Sequence, residues 1–159
     1  MKMRMQCAFL LFILLAVTSC SKESVAPAVT IEAENVQAVE GALLQLVNEH
    51  RQAIGAAPLA FSELAYSYAN EHTEYMIATG NTSHHDFNTR ASKIAEAVDA
   101  KAVAENVAKD YDTAKQAFEG WFASPDHRST MEGTFSHTAV SVKRAPDGQL
   151  YFTQLFYLQ

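Results

Sequence analysis

Six histidines set in an acidic chain, His50, His72, His84, His85, His127 and His137, are the side chains best suited to chemistry. Neutral imidazoles beside a carboxylate suit Zn²⁺ or a similar borderline cation, and three protein ligands would leave one coordination position open. Without a metal, a His next to a Glu can share a proton, with a pKa near the working pH range. Ser83 beside His84, with Glu105 as orienter, also supplies the residue types of a nucleophile, a base and a carboxylate. Adjacent positions rarely aim Ser and His at each other, and the chain holds no Gly-x-Ser-x-Gly elbow. Metal-activated water is a variant of the same idea, but the H-E-x-x-H helix motif is missing. His50, between Glu49 and Arg51 in mid-helix, reads as part of a solvated face, and His72 as packing.

Cys20 carries a different chemistry. Lys2 and Arg4 precede an apolar block from Ala8 to Val17, and Thr18-Ser19 then lead into Cys20. A basic start, a short apolar core and small residues at the cut make a secretory signal. The block is well short of the ~20 residues that a membrane-spanning helix needs. Small residues running directly into a Cys resemble a bacterial lipobox, whose Cys is diacylated after cleavage. Cleavage there leaves 140 of the 159 residues, enough for one domain with its own core. Cys7 leaves with the signal and Cys20 takes lipid, so no disulfide is expected within the domain.

The mature part would carry 10 basic and 18 acidic side chains, a formal charge of −8. Such a field repels polyanions, so nucleic acid is not an expected partner. It also opposes adsorption to an anionic membrane, which leaves the acyl chains on Cys20 as the means of attachment.

The elements that must position the histidines can be read in order. Residues 20–35 are small, polar and aperiodic, and read as a tether. From residue 36, Val39, Leu43, Leu44, Leu46, Val47 and Ile54 form a stripe at helical spacing, with Gly55 as its stop. Ser62 is placed to cap a second helix that ends at Gly80, with Leu64, Tyr68, Tyr75 and Met76 among its apolar positions. A polar loop over 81–90 enters a short helix near Phe87–Ala97. The segment Val103 to Ala108 follows, then a helix capped by Asp112 or Thr113, holding Trp121 and closed by Ser124-Pro125. Trp121 is expected in the core with its indole N–H on a backbone carbonyl. Thr138 to Arg144 and Leu150 to Tyr157 are β-branched and aromatic runs around the turn residues Pro146-Asp147-Gly148, a hairpin. Helices first and strands last imply an α+β domain with helices packed on an antiparallel sheet.

Five segments in this order resemble the bacterial branch of the CAP superfamily (cysteine-rich secretory proteins, antigen 5, pathogenesis-related 1), also called SCP-like domains. They are Leu46 to Arg51; Ser62-Glu63-Leu64-Ala65 through His72 to Met76; Ser83-His84 with Phe87 and Arg90; Ala104-Glu105-Asn106-Val107-Ala108; and Trp121 with Ser124-Pro125-Asp126-His127-Arg128, Phe135-Ser136-His137 and the final hairpin. The resemblance implies an α-β-α sandwich over residues 36–159, with helices on both faces of a small antiparallel sheet. It also implies a cavity lined by His84, Glu105, His127 and His137, in which His84, His137 and Glu105 are the candidate ligands of a divalent metal such as zinc. His84 rather than His85 fits the family's H-x-x-F-x-x-R run. Animal members carry a second cavity Glu where this chain has Ser124, and Ala104 stands where the family has Gly.

The function this implies is a lipid-anchored binding or interaction module outside the cytoplasm, its His/Glu cavity taking a small ligand or a metal. The alternatives are a hydrolase acting on peptide or envelope substrates, and a sterol- or fatty-acid-binding protein.

Overall fold

The structure is a computed structural model that describes residues 33–159. The expected signal sequence and Cys20 lie outside those residues. Helix α1 (Gln37–Ala53) follows the predicted stripe and ends through Ile54 into Gly55, whose φ of +77° suits glycine. Its Leu43 and Val47 are fully buried, each burial contributing about 1.5–3 kcal/mol. Helix α2 (Glu63–Thr79) starts where Ser62 Oγ accepts the Ala65 N–H at 3.2 Å, and ends at Gly80 in the left-handed region.

The buried face of α2 is Ala65, Ala69, His72, Thr73 and Met76, smaller and more polar than the expected Leu64, Tyr68 and Tyr75. The small residues let the helix lie close on the sheet, and they bring His72 inside with them. Helix α3 (Phe87–Val98) follows, then, after an intervening strand, α4 (Ala114–Ala123), which Thr113 and Gln116 open with a reciprocal capping box. Ser124-Pro125 does more than close α4. Pro125 occupies the first position of a further helix, α5 (Pro125–Glu132), where its missing N–H costs nothing.

The strands are β1 (Glu34–Asn35), β2 (Ala60–Phe61), β3 (Ala102–Lys109), β4 (His137–Arg144) and β5 (Leu150–Leu158). The hairpin β4–β5 closes with Arg144 opposite Leu150, and Gly148 supplies the positive φ of its turn. The sheet order is β1-β4-β5-β3, antiparallel throughout, while β2 adds a short parallel pairing with β4. Because Glu34 and Asn35 pair with Arg144 and Lys143, the folded domain takes in the last residues of the expected tether.

Alternation along the strands splits the core into two layers. On one face, Val140, Val142, Phe152 and Phe156 pack with Leu43, Val47, Trp121 and Met131 of α1, α4 and α5. On the other, Ala139, Leu155 and Tyr157 meet Ala65, Ala69 and Ile94 of α2 and α3. The Trp121 indole N–H donates to the Val107 carbonyl at 3.2 Å, as expected of it.

The face of α1 expected to be solvated is not. The Arg51 guanidinium is buried without a carboxylate and donates to the carbonyls of Ala57, Met131, Gly133 and Phe135 at 2.7–3.3 Å. It fastens the chain ahead of β2 and β4 to α1. His50 lies edge-on to Phe118 and Phe122, with Nε2 2.9 Å from Glu132.

Candidate functional site

Strand β3 is an edge strand, and the candidate site straddles it. Glu105 sits mid-strand, opposite Leu155, on the face covered by α2 and α3. A carboxylate this deeply buried, with a side chain 1% exposed, requires compensation. Arg90 supplies it from α3, placing Nε at 3.1 Å and Nη2 at 2.7 Å from Glu105 Oε2. The fork is charge-assisted and fixed in geometry. The same guanidinium reaches back with Nη1 to the His85 carbonyl at 2.6 Å, so one side chain holds both the carboxylate and the loop carrying His84.

The other oxygen, Glu105 Oε1, accepts from His84 Nδ1 at 2.9 Å. An ionised carboxylate can only accept, so the proton is on Nδ1 and the lone pair of a neutral His84 is on Nε2. The ring is half exposed, with a relative exposure of 54%. Behind it, His72 places Nε2 2.6 Å from the Ser83 carbonyl and 3.7 Å from Glu105 Oε1. A carbonyl also only accepts, so the His72 proton is on Nε2. Burial lowers the pKa of His72 below its ordinary 6.5, more than the Glu105 charge and the Ser83 carbonyl raise it.

On the other side of β3, Asn106 donates to the His127 carbonyl at 3.0 Å and ties α5 to the strand. His127 Nδ1 is 2.8 Å from Ser124 Oγ, leaving Nε2 uncommitted. Burial lowers the pKa of His127, and the positive charge that His84 can carry lowers it further. Ser124 is thus a neutral hydroxyl partner to His127. Next to them lies a polar hollow of about 320 Å³ lined by Thr82, Lys109, Asp110, Tyr111, Ser124 and His127, among others.

The structure therefore joins His84 to Glu105 directly, but it does not bring in His137. His137 begins β4 opposite Tyr157, whose partner on β3 is Val103. A whole strand and two residues of register separate it from Glu105. Its ring stacks on Tyr157 at 4.7 Å, and its Nδ1 is 2.8 Å from Ser136 Oγ. The set His84, Glu105 and His137 is accordingly not a coordination sphere here. Among the described residues no three His, Cys, Asp or Glu side chains converge on a point as metal ligands. Among the same residues His84 and His127 each keep an Nε2 without a hydrogen-bond partner, and Glu105 stands behind His84 as its hydrogen-bonded support.

Ser83 Oγ accepts the His85 N–H at 3.4 Å, and no bond joins it to the His84 ring. Arg90, which the sequence marks only as the last residue of the H-x-x-F-x-x-R run, is the counter-ion of Glu105. The available signal was its spacing, three residues after Phe87 in the run that begins at His84.

Helices on both faces of a five-stranded sheet, with a His/Glu pair at the edge strand, define an α-β-α sandwich with a candidate site on its rim. The model of the CAP family, described as the cysteine-rich secretory protein family, matches residues 44–156, and the chain belongs to that family. An outer surface protein of Borrelia burgdorferi superposes with a TM-score of 0.71 at 16% identity, over 80% of this chain and 98% of its own. A cysteine-rich secretory protein of Staphylococcus aureus gives a TM-score of 0.66 at 19% identity over 81% of this chain. An extracellular SCP-domain protein of Bacillus anthracis gives 0.66 at 22% over 77%. The superposed regions make up 40% and 41% of those two longer proteins. No curated protein sequence matches the chain significantly.

Two outcomes follow from the buried pair and the buried imidazole. Arg90→Met leaves Glu105 buried without a cation and is expected to cost about 3–5 kcal/mol in urea unfolding. Arg90→Met with Glu105→Leu is expected to recover most of that loss; equal effects of the single and double variants would contradict the pairing. His72 binds a proton more weakly folded than unfolded, so below about pH 6.5 the unfolded chain takes up more protons and stability falls. The melting temperature is therefore expected to drop between about pH 7.5 and about pH 5.5, and less so in His72→Gln.

Proposed function

We propose that this protein is a lipid-anchored binding module outside the cytoplasm, attached through acyl chains on Cys20, whose rim site around His84, Glu105 and His127 takes a ligand. The observation that carries the reading is the state of His84. Glu105 holds its Nδ1, its ring is half exposed, and its Nε2 is free to accept from or bind to an incoming group. The polar hollow beside His127 adds room for the rest of a small ligand. The location is supported by the lipobox-like segment ahead of Cys20 and by relatives described as outer surface and extracellular proteins. Among the described residues no helix is long and apolar enough to cross a membrane.

A divalent cation such as zinc is one ligand this chemistry suits. His84 and His127 would hold it through Nε2, Glu105 would fix the His84 ring, and positions left open would face the hollow. The hydrolase alternative has less behind it. Ser83 is turned to the backbone, and the Ser124–His127 pair has no carboxylate bonded to its imidazole.

Calorimetric titration of the purified protein with zinc separates the possibilities. His84→Ala and His127→Ala are each expected to weaken binding at least about tenfold, while His137→Ala leaves it unchanged. Loss of binding in His137→Ala alone would overturn the assignment. No zinc binding in wild type would remove the metal and leave the ligand to be sought among small organic molecules.

A further inference from the structure

The other edge of the sheet has a gap. The outer side of β4 is paired with β2 at His137 and Thr138 and with β1 at Lys143 and Arg144, leaving residues 139–142 without a strand partner there. Glu40 of α1 fills part of this gap. Its Oε1 accepts the Val142 N–H at 2.9 Å and the Asn35 amide at 2.6 Å, and its Oε2 accepts the Tyr66 hydroxyl at 2.9 Å. All three donors are neutral. Glu40 is 8% exposed, and no Lys, Arg or His forms a salt bridge with it among the described residues.

Beside it opens a pocket of about 330 Å³, walled by Glu40, Leu44, Phe61, Glu63, Tyr66 and Val140 among others. That volume is at the lower end of the range for small-molecule sites. Phe61 is unusual in being 49% exposed, and its ring leans on Tyr66 with centroids 5.7 Å apart. The electrical character of the pocket is registered by Tyr66. Burial raises its pKa above the ordinary value, and so do its bond to Glu40 and the charges of Glu40 and Glu63. Both carboxylates therefore act on the same point.

We propose that this gap binds a small alkylammonium ion, its cationic head between Glu40, Glu63 and the ring faces of Phe61 and Tyr66, and its alkyl part on Leu44 and Val140. Aromatic faces attract such cations, most strongly when the ion gives up water to reach them. A buried carboxylate without a cation is the complementary charge. The same carboxylates oppose a phosphodiester next to the ammonium, so a phospholipid headgroup does not fit. This site lies across the sheet from the His84 site and stands independently of the function proposed for it.

The test compares choline with its uncharged carbon analogue 3,3-dimethylbutan-1-ol by titration of the full chain, followed by NMR. Choline is expected to bind and to shift Phe61 and Tyr66 resonances, while the neutral analogue does not. Phe61→Ala and Glu63→Gln leave the Glu40 hydrogen bonds in place, so both should melt as wild type does. Each is expected to weaken choline binding by about fivefold. Nα-acetyl-lysine amide binding better than choline would also support the site and identify a primary ammonium carried on a side chain. Equal affinity for choline and the neutral analogue, or no binding of either ammonium, would overturn the proposal, as would unchanged affinity in both variants.

Discussion

A carboxylate in the middle of a strand, with its side chain 1% exposed, is the constraint from which the rim site follows. Glu105 cannot stay charged there without strong partners, and those partners come from separate parts of the chain. Arg90 docks α3 against β3, His84 is drawn in from the loop before α3, and His72 backs the arrangement from α2. Breaking the arginine contact would leave a buried charge, so the geometry of His84 is tied to the stability of the fold. The imidazole that meets solvent is thereby oriented before any ligand arrives, which reduces what ligand binding must organise.

The two edges of the sheet solve similar problems by different means. At β3 the buried carboxylate is matched by the Arg90 cation and the His84 imidazole, whose second nitrogen faces outward. At the outer edge of β4 the carboxylate of Glu40 is matched by neutral donors alone, which leaves its field directed into a pocket with aromatic walls. Between the edges, the two hydrophobic layers and the Arg51 carbonyl cluster hold the sheet and its helices in place. Nothing in this frame requires a disulfide.

Much of the frame was legible in the residues. The stripe on α1, the Ser62 cap of α2 and the β-branched runs around Pro146-Asp147-Gly148 each obey a local rule, and each element formed where expected. The rest depended on burying polar groups, which no local pattern announces. β3 carries Glu105 and Asn106 at its centre, so hydrophobic alternation does not mark it. Arg51 and Glu40 are charged residues on the buried Leu43–Val47 face of α1, and the carbonyls and N–H groups they satisfy come from distant segments. Pro125 signals a helix start as well as a stop, and α5 hid behind that ambiguity. The resemblance of ordered segments supplied the sandwich and grouped His84, Glu105 and His137, of which the fold bonds His84 to Glu105. The separation of His137 from Glu105 is set by strand register, which spacing along the chain does not reveal.

The central claim is that an ionised Glu105 fixes the His84 imidazole with its proton on Nδ1 and its lone pair facing outward. Long-range ¹H–¹⁵N correlation spectra of the histidine rings near neutral pH test it most directly. The account requires His84 as the Nδ1–H form and His72 as the Nε2–H form. His84 found as the Nε2–H form, or tumbling between both, would contradict it.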